Sequence, residues 1–207
     1  MTLSIQAKYT ELVRRQVLES AEVKRRLAET LAAQIAEAAQ MVIETVQSGH
    51  KILICGNGGS AADAQHFAGE MVGRYKLNGR AALPALALTT DTTILTCVAN
   101  DFSYEEVFSR QVEAFAQPGD LVIGISTSGG SSNVLKALQA ARSRGSRTLA
   151  LVGGKGGPIS EAADLALCMP STDTARIQEC HITVIHTICE IVDAETGVSD
   201  GPDTRQS

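Results

Sequence analysis

The composition is that of an ordinary globular protein: the chain has 207 residues, of which 44% are apolar and 20% are charged. Its 18 Lys and Arg residues against 23 Asp and Glu residues give a formal net charge of −5, and there is no basic run, so we expect no binding to nucleic acid. The N-terminus has no apolar leader segment and nowhere do about 18 uncharged apolar residues run together, so we expect a cytoplasmic protein that does not enter a membrane.

The N-terminal quarter predicts helices, and alternating elements follow it. Residues 4–48 are rich in Ala, Leu and charged side chains near helical spacing, which predicts two helices. Five apolar runs too short for helices then predict buried strands at 51–55, 83–88, 121–125, 148–152 and 165–169. Helical patterns separate or follow these runs at about 60–76, 92–117, 131–144, 158–163 and 174–194.

This alternation is typical of a parallel sheet whose strands are joined by helical crossovers. Parallel sheets are covered on both faces, so their strands are continuous Val, Ile and Leu runs, as they are here. We therefore predict an α/β fold: a three-layer α/β/α sandwich with a parallel five-stranded sheet, preceded by the N-terminal helices. We expect one domain over residues 1–200, including the helical segment 4–48, and a polar tail over 201–207.

The cysteines are an odd number, and no two have the C-x-x-C spacing of a metal or redox motif. Each lies in an apolar stretch. We therefore expect small buried thiols in a reducing compartment at Cys55, Cys97, Cys168, Cys180 and Cys189.

Two loops that follow predicted strands are candidate anion sites, because ligands of open parallel sheets bind beyond the carboxyl ends of the strands. The first loop, Gly56-Asn57-Gly58-Gly59-Ser60, enters a helix whose N-terminus offers free N–H groups to an anion. A tight turn would use the same glycines, and the loop matches neither the P-loop nor the G-x-G-x-x-G pattern.

The second candidate is rich in hydroxyl groups and reads Ser126-Thr127-Ser128-Gly129-Gly130-Ser131-Ser132-Asn133. One Ser or Thr is enough to cap a helix, so the five hydroxyls exceed what capping requires. Because the loop has no Lys or Arg, hydroxyls, backbone amides and the helix dipole would hold a phosphate. We predict a phosphate site here, with a flexible polar turn as the alternative.

Acidic and imidazole side chains form the third pattern. His66 and Glu70 are at positions i and i+4 and project from one helix face, a spacing that suits metal ligation or acid–base chemistry but also a solvated pair. The C-terminal helix has four polar residues in an apolar stretch, namely Gln178, Glu179, His181 and His186. Buried polar groups need partners, and we expect His181 to be a packed or interface histidine.

Together, these patterns carry a resemblance that spans about residues 5–195. Its segments are Cys55-Gly-Asn-Gly-Gly-Ser60, His66-Phe-Ala-Gly-Glu70, Asn100-Asp101-Phe102, Gly124-Ile-Ser-Thr-Ser-Gly129, and the stretch from Arg176-Ile-Gln-Glu-Cys180 to His186. In this combination the sequence resembles the phosphoheptose isomerases of the sugar isomerase (SIS) domain superfamily. It departs from them at Gly130, where the family commonly has Asn, a side chain that we do not count as essential.

The resemblance implies an aldose–ketose isomerase that converts sedoheptulose 7-phosphate to D-glycero-D-manno-heptose 7-phosphate through an enediol, the first step of nucleotide-activated heptose biosynthesis. It assigns the catalytic base to Glu70 and the acid to His186. It implies one Zn²⁺ per subunit, with the ligands His66, Glu70, Gln178 and His186. The implied substrate contacts are Asn57, Gly58, Gly59, Glu70, Asn100, Asp101, Ser126, Thr127, Ser128, Ser131 and Gln178.

Other functions are compatible with this fold. The main alternative is a non-catalytic tetrameric binding protein, similar to the SIS-fold factor that associates with the bacterial replication initiator, although that relative lacks a glutamate at the position of Glu70. Another sugar-phosphate isomerase is a second alternative. A sugar-phosphate-sensing regulator would carry a separate DNA-binding domain, for which we see no segment in the sequence.

Helix geometry bears on assembly. Gln178 and His186 are eight residues apart, about 12 Å along a helix and about 80° around it. Ligands of one zinc ion end within about 4 Å of each other, so a neighbouring chain would supply one of these ligands more easily. We therefore predict a homo-oligomer, the tetramer of similar proteins, with active sites shared between chains. Mixing a Glu70 variant with a His186 variant would then restore activity.

Overall fold

The computed structural model describes residues 5–197, which form a sheet between two layers of helices. The strands are β1 (Ile52–Gly56), β2 (Ala85–Ala87), β3 (Leu121–Ser126), β4 (Arg147–Gly153) and β5 (Leu165–Met169). The helices are α1 (Ile5–Gln47), α2 (Gly59–Val72), α3 (Thr92–Asp101), α4 (Ser109–Phe115), α5 (Ser132–Ser143), α6 (Gly157–Ala162) and α7 (Thr174–Thr196). The sheet has the order β2-β1-β3-β4-β5 and every pairing is parallel, which confirms the predicted fold class.

Strand side chains alternate between two apolar cores, as the pleat of a strand requires. Ile52 and Ile54 of β1 pack with α1, α2 and α7, whereas Leu53 and Cys55 pack with α3 to α6 on the other face. Every residue of β1 and β3 is buried. Burial on both faces is the reason that these strands are continuous apolar runs.

The N-terminal segment forms one helix of 43 residues, so the prediction of two helices is wrong. Residues 5–47 contain no Gly or Pro, and nothing in the backbone ends the helix early. Packing against the rest of the protein starts part-way along the helix: Val23 is the first buried side chain of α1, whereas Val13, Val17 and Leu18 are exposed.

The pattern at 92–117 also divides differently from the prediction of one helix. It forms α3, a 3₁₀ turn at Tyr104–Glu106, and α4. The chain becomes extended at Ser103, which has a φ of −164°. Asn and Asp side chains compete with helical hydrogen bonds, so the pair Asn100-Asp101 is a natural place for α3 to end.

Smaller differences occur at the edges. The predicted strand 83–88 is reduced to the three residues of β2, an edge strand with one neighbour; Pro84 contributes only its carbonyl oxygen, to the Ile52 N–H at 2.9 Å. Cys97 is exposed on α3 and Cys168 is half-buried on the edge strand β5, so the prediction that these two thiols are buried is wrong. Residues 1–4 and the predicted tail lie outside the described residues. Within residues 5–197, no helix combines the length and apolar character needed to cross a bilayer.

Candidate active site

The first loop turns the chain from β1 into α2 through closely packed backbone. Gly58 has a φ of +55°, in the region that favours glycine. A Cβ atom on Gly59 would lie 2.2 Å from Nε2 of Gln178, so a larger residue here would displace the Gln178 side chain. In the sheet, Gly56 pairs with Ile125, and the loops that follow β1 and β3 therefore leave the same edge side by side.

The second loop, residues 126–133, is named the serine loop, and the hydroxyls of Ser126, Ser128 and Ser131 lie close together in it. Ser126 Oγ lies 2.9 Å from Ser131 Oγ and 3.4 Å from Ser128 Oγ. Ser131 is the N-cap of α5, yet its side chain makes no capping hydrogen bond. The hydroxyls therefore gather at a helix N-terminus without serving it as caps, an arrangement that suits a phosphate.

A glycine lets the serine loop pack closely against the connection between β4 and α6. Gly129 has a φ of +68°, and a Cβ atom on it would lie 1.7 Å from the backbone oxygen of Gly156. The Gly129 carbonyl oxygen accepts a hydrogen bond from the Ile159 N–H at 3.1 Å. The position and shape of the loop thus depend on the absence of a side chain at Gly129.

An amide bridge joins the two loops. Asn57 Nδ2 donates to Asn133 Oδ1 at 2.8 Å, and Asn133 Nδ2 donates to Asn57 Oδ1 at 2.9 Å. The hydroxyl of Tyr104 donates to the same Asn57 oxygen at 3.0 Å. Asn57 is one of the predicted site residues, whereas Asn133 and Tyr104 are not among them. The place of Asn133 at the end of a polar loop was an available signal, whereas nothing in the sequence marks Tyr104.

The acid–base pattern becomes a cluster when α2 and α7 pack together. His66 Nε2 lies 2.9 Å from His186 Nε2, across 120 residues of sequence. The same His66 nitrogen lies 3.3 Å from Glu70 Oε1, and one ligand atom from each of the three residues lies within 4.8 Å of the others. The ring of Tyr75 contacts that of His186 with 5.5 Å between centroids.

The chemistry of this cluster suits a zinc ion. Two imidazole nitrogens and a carboxylate oxygen form a mixed N/O donor set that zinc accepts. Ligands at about 2.0–2.2 Å from one zinc ion lie about 3–4 Å apart, close to the separations seen here. His66, Glu70 and His186 therefore fit the predicted metal.

The cluster forms within one chain, which corrects part of the predicted assembly. His186 reaches His66 and Glu70 of its own chain, so a Glu70 variant and a His186 variant would not restore each other through shared sites. Packing of α7 against α2 brings His186 to the cluster. Gln178 packs against Gly59, and its place among the metal ligands stays a prediction.

The predicted contacts Asn100 and Asp101 lie at the end of α3. Asn100 Nδ2 donates to Asp101 Oδ1 at 2.8 Å, and Cys97 Sγ donates to Asp101 Oδ2 at 3.4 Å. These two hydrogen bonds lower the pKa of Asp101. Within residues 5–197, their hydrogen bonds do not reach the two loops, and the link from this segment to Asn57 is Tyr104.

Two further titratable groups lie on the same helices. Burial raises the pKa of Asp63 to about 6, against the lowering influence of His66, and Asp63 Oδ2 is buried without a hydrogen-bond partner among the described residues. Burial lowers the pKa of His181 to about 4, although the nearby Val152 backbone opposes the shift. His181 is fully buried, as predicted for a packed histidine, and neither of its ring nitrogens has a hydrogen-bond partner among the described residues.

Known proteins are similar to this chain over most of its length. The family model of the SIS domain matches residues 17–153. The phosphoheptose isomerase of Roseiflexus sp. (strain RS-1) is 55% identical over 185 residues, which are 89% of this chain and 93% of that protein. The chain belongs to the phosphoheptose isomerase family of SIS-domain proteins.

Solved structures of phosphoheptose isomerases have the same fold. GmhA from Neisseria gonorrhoeae superposes with a TM-score of 0.85 at 43% identity, over 90% of this chain and 99% of that one. The phosphoheptose isomerase from Francisella tularensis gives a TM-score of 0.87 at 34% identity, over 90% and 98% of the two chains. These matches confirm the resemblance to phosphoheptose isomerases that the sequence motifs indicated.

Proposed function

We propose that this chain converts sedoheptulose 7-phosphate to D-glycero-D-manno-heptose 7-phosphate. The observation that carries the proposal is the cluster of His66, Glu70 and His186, which forms in a chain of this family partly on the helix that follows the first candidate anion loop. A non-catalytic binding protein would have no use for a carboxylate held beside two imidazoles.

The separation of the two parts of the site supports a substrate with its phosphate and carbonyl at opposite ends. Gly59 starts α2 beside the loops, and His66 lies seven residues later, about 10 Å along the helix. The phosphate of a heptulose 7-phosphate is at the opposite end of the carbon chain from C1 and C2. The serine loop therefore suits the phosphate, and the cluster suits the reacting carbons.

The reaction moves a proton from C1 to C2 and the carbonyl from C2 to C1. Glu70 removes the proton from C1, the bonding pair forms the C1–C2 double bond, and the C2 oxygen takes a proton from His186. The resulting enediol returns its C1 hydroxyl proton to His186 as Glu70 delivers a proton to C2. The substrate is neither oxidised nor reduced overall, so the reaction needs no redox cofactor.

We propose that His66, Glu70 and His186 hold one zinc ion per chain, with Gln178 as the fourth predicted ligand. When bound, the ion supplies a Lewis acid that draws electron density from the substrate's carbonyl oxygen. Because a ligating carboxylate is a weaker base, we expect Glu70 either to shift its ligation or to use one oxygen for each task. Dialysis against a chelator should lower turnover and zinc should restore it. Full turnover by protein shown to be metal-free by elemental analysis would contradict the zinc proposal.

A direct assay tests the activity. Purified protein incubated with sedoheptulose 7-phosphate should produce aldoheptose phosphate, measured after separation of the sugar phosphates, and the Glu70→Gln variant is the matched control. Binding of the substrate without turnover would favour the non-catalytic alternative. Turnover of a different ketose phosphate in preference would favour another sugar-phosphate isomerase.

We also propose that the chain is a cytoplasmic homotetramer. An exposed apolar stripe runs along the first half of α1 and contains Ile5, Tyr9, Leu12, Val13, Val17 and Leu18. Such a stripe is typical of a surface that another protein covers. The side chain of His66 is 42% exposed, and a second chain over the cluster would exclude water from it. Sedimentation should show the tetramer, and a fully active monomer would refute it.

A further inference from the structure

A buried arginine closes the end of the helix that carries Glu70. Arg80 lies in the connection between α2 and β2, and its side chain is 1% exposed. Its Nη2 donates to the backbone oxygen of Glu70 at 2.7 Å, and its Nη1 donates to those of Met71 and Ala81 at 2.9 and 2.8 Å. The last carbonyl groups of a helix lack partners inside it, and a cation there meets the negative end of the helix dipole. Arg80 thus holds the backbone of the proposed base itself.

The same arginine is tied to α7 through Asp193. Arg80 Nε donates to Asp193 Oδ1 at 2.6 Å, while Asp193 Oδ2 accepts from the backbone N–H groups of Lys76 and Leu77 at 2.8 and 3.0 Å. Burial favours a higher pKa for Asp193, but the hydrogen bonds from Leu77, Lys76 and Arg80 outweigh it and leave the pKa below its usual value. Asp193 is therefore a buried carboxylate that accepts hydrogen bonds on both oxygens, from three donors.

This pair connects both sides of the acid–base cluster. His186 and Asp193 are seven residues apart on α7, close to two helical turns, and so lie on one face of the helix. The connection that Asp193 binds also carries Tyr75, whose ring contacts that of His186. One ion pair therefore links the end of α2, the connection after it and the face of α7 that presents His186.

We propose that Arg80 and Asp193 are positioning residues, which hold Glu70 and His186 at the separation that proton transfer requires. The inference rests on the proposed function, since it assigns the two catalytic roles to these side chains. A displacement of about 1 Å from a reactive geometry is enough to lower a rate about 100-fold. Loss of the pair is therefore expected to act on kcat more than on KM.

A purely structural ion pair is the alternative, and Arg147, whose ion pair is more exposed, provides a control for it. Arg147 at the start of β4 donates to Glu44 Oε2 at 2.7 Å and to the Met41 backbone oxygen at 2.9 Å. It thus also joins a helix to a neighbouring element through a carboxylate and a carbonyl group. Arg147 lies at the amino end of β4, whereas the two loops follow the carboxyl ends of β1 and β3.

The test compares Asp193→Asn and Arg80→Lys with Arg147→Lys. Asp193→Asn keeps the size of the side chain and an acceptor for the backbone donors, and Arg80→Lys keeps the charge but loses the fork of donors. We expect both changes to lower kcat about 10- to 100-fold with KM changed less than about 3-fold. Arg147→Lys should leave kcat unchanged and lower Tm less than the other two changes, because the side chains of Arg147 and Glu44 are 37% and 49% exposed. Unchanged kcat in the folded Asp193→Asn and Arg80→Lys variants, or failure of both to fold, would overturn the positioning role.

A spectroscopic measurement separates this inference from the proposed function. The chain has 4 histidines, and their ring nitrogen signals can be followed by NMR in protein labelled at histidine. Asp193→Asn should shift the signals of His66 and His186 but not that of His50, whether or not the protein turns over sedoheptulose 7-phosphate. Absence of turnover in the unmodified protein would overturn the function, and unshifted His66 and His186 signals would overturn the positioning role.

Discussion

The serine loop and the acid–base cluster are assembled in different ways. The serine loop is one short segment between β3 and α5, and its hydroxyls contact one another across at most five residues. The cluster instead joins His66 and Glu70 on α2 to His186, 120 residues further along the chain. The loop is held by the amide bridge and by Gly129, and the end of α2 is held by a buried ion pair. This difference teaches that binding and chemistry are separable here, and we expect them to respond to mutation separately.

Glu70→Gln is expected to have the largest effect and tests whether chemistry can be lost while substrate binding is kept. The change keeps the volume of the side chain and removes the base, and a general base contributes about 10²–10⁴ in rate. We expect kcat to fall by that factor while KM and the far-UV circular dichroism spectrum stay close to those of the unmodified protein. A variant that retains more than about a tenth of the activity would remove Glu70 from the role of base.

The next largest effect is expected from Gly129→Ala. An added Cβ would strike the backbone oxygen of Gly156 at a residue with positive φ, so the serine loop must shift. We expect KM to rise about 10-fold or more with a smaller change in kcat. Gly130→Ala is the matched control, because its Cβ would meet only Ser128 Oγ at 3.9 Å. Equal KM values for the two variants would show that the packing of Gly129 against Gly156 does not matter for substrate binding.

Ser128→Ala tests a single hydroxyl of the serine loop. A hydrogen bond to a charged group is worth about 1.5–3 kcal/mol, which corresponds to a rise in KM of about 10-fold or more if the hydroxyl contacts the phosphate. Because that contact is made equally in the ground and transition states, kcat should stay constant. Ser143→Ala at the far end of α5 should change neither constant. A collapse of kcat at constant KM in Ser128→Ala would contradict the division between binding and chemistry.

The smallest effect is expected from Tyr104→Phe, which sharpens the comparison. The change removes the hydroxyl that donates to Asn57 and keeps the ring. A neutral hydrogen bond contributes about 0.5–1.5 kcal/mol, so we expect KM to rise about 2- to 10-fold with kcat unchanged. Steady-state kinetics give kcat and KM, and an unchanged Tm shows that the variant is folded. A change in kcat alone would mean that Tyr104 contributes to the chemistry of the cluster and not to binding.

The fold was predictable because its signals are local. The five apolar runs identified the five strands, and the glycine-rich and serine-rich segments identified the two loops, since a strand, a turn and a helix N-terminus each depend on neighbouring residues. Local signals also explain the errors. The apolar side chains of α1 are exposed up to Leu18 and buried from Val23 onward, a difference that reflects where other elements pack and not where a helix ends. The division of 92–117 depends on one extended residue, Ser103, within a segment that otherwise has a helical pattern.

The sequence by itself determined the layers, the two loops and the spacing of His66 and Glu70, because each depends on residues only a few positions apart. Only the tertiary structure decided that His186 joins them within one chain and that Arg80 and Asp193 stand behind them. Nothing in the sequence indicates that a single Arg in a connection and a single Asp on an apolar helix, 113 residues apart, are partners. They become a pair only when packing removes water from both, since a buried charge then requires a partner within hydrogen-bond distance.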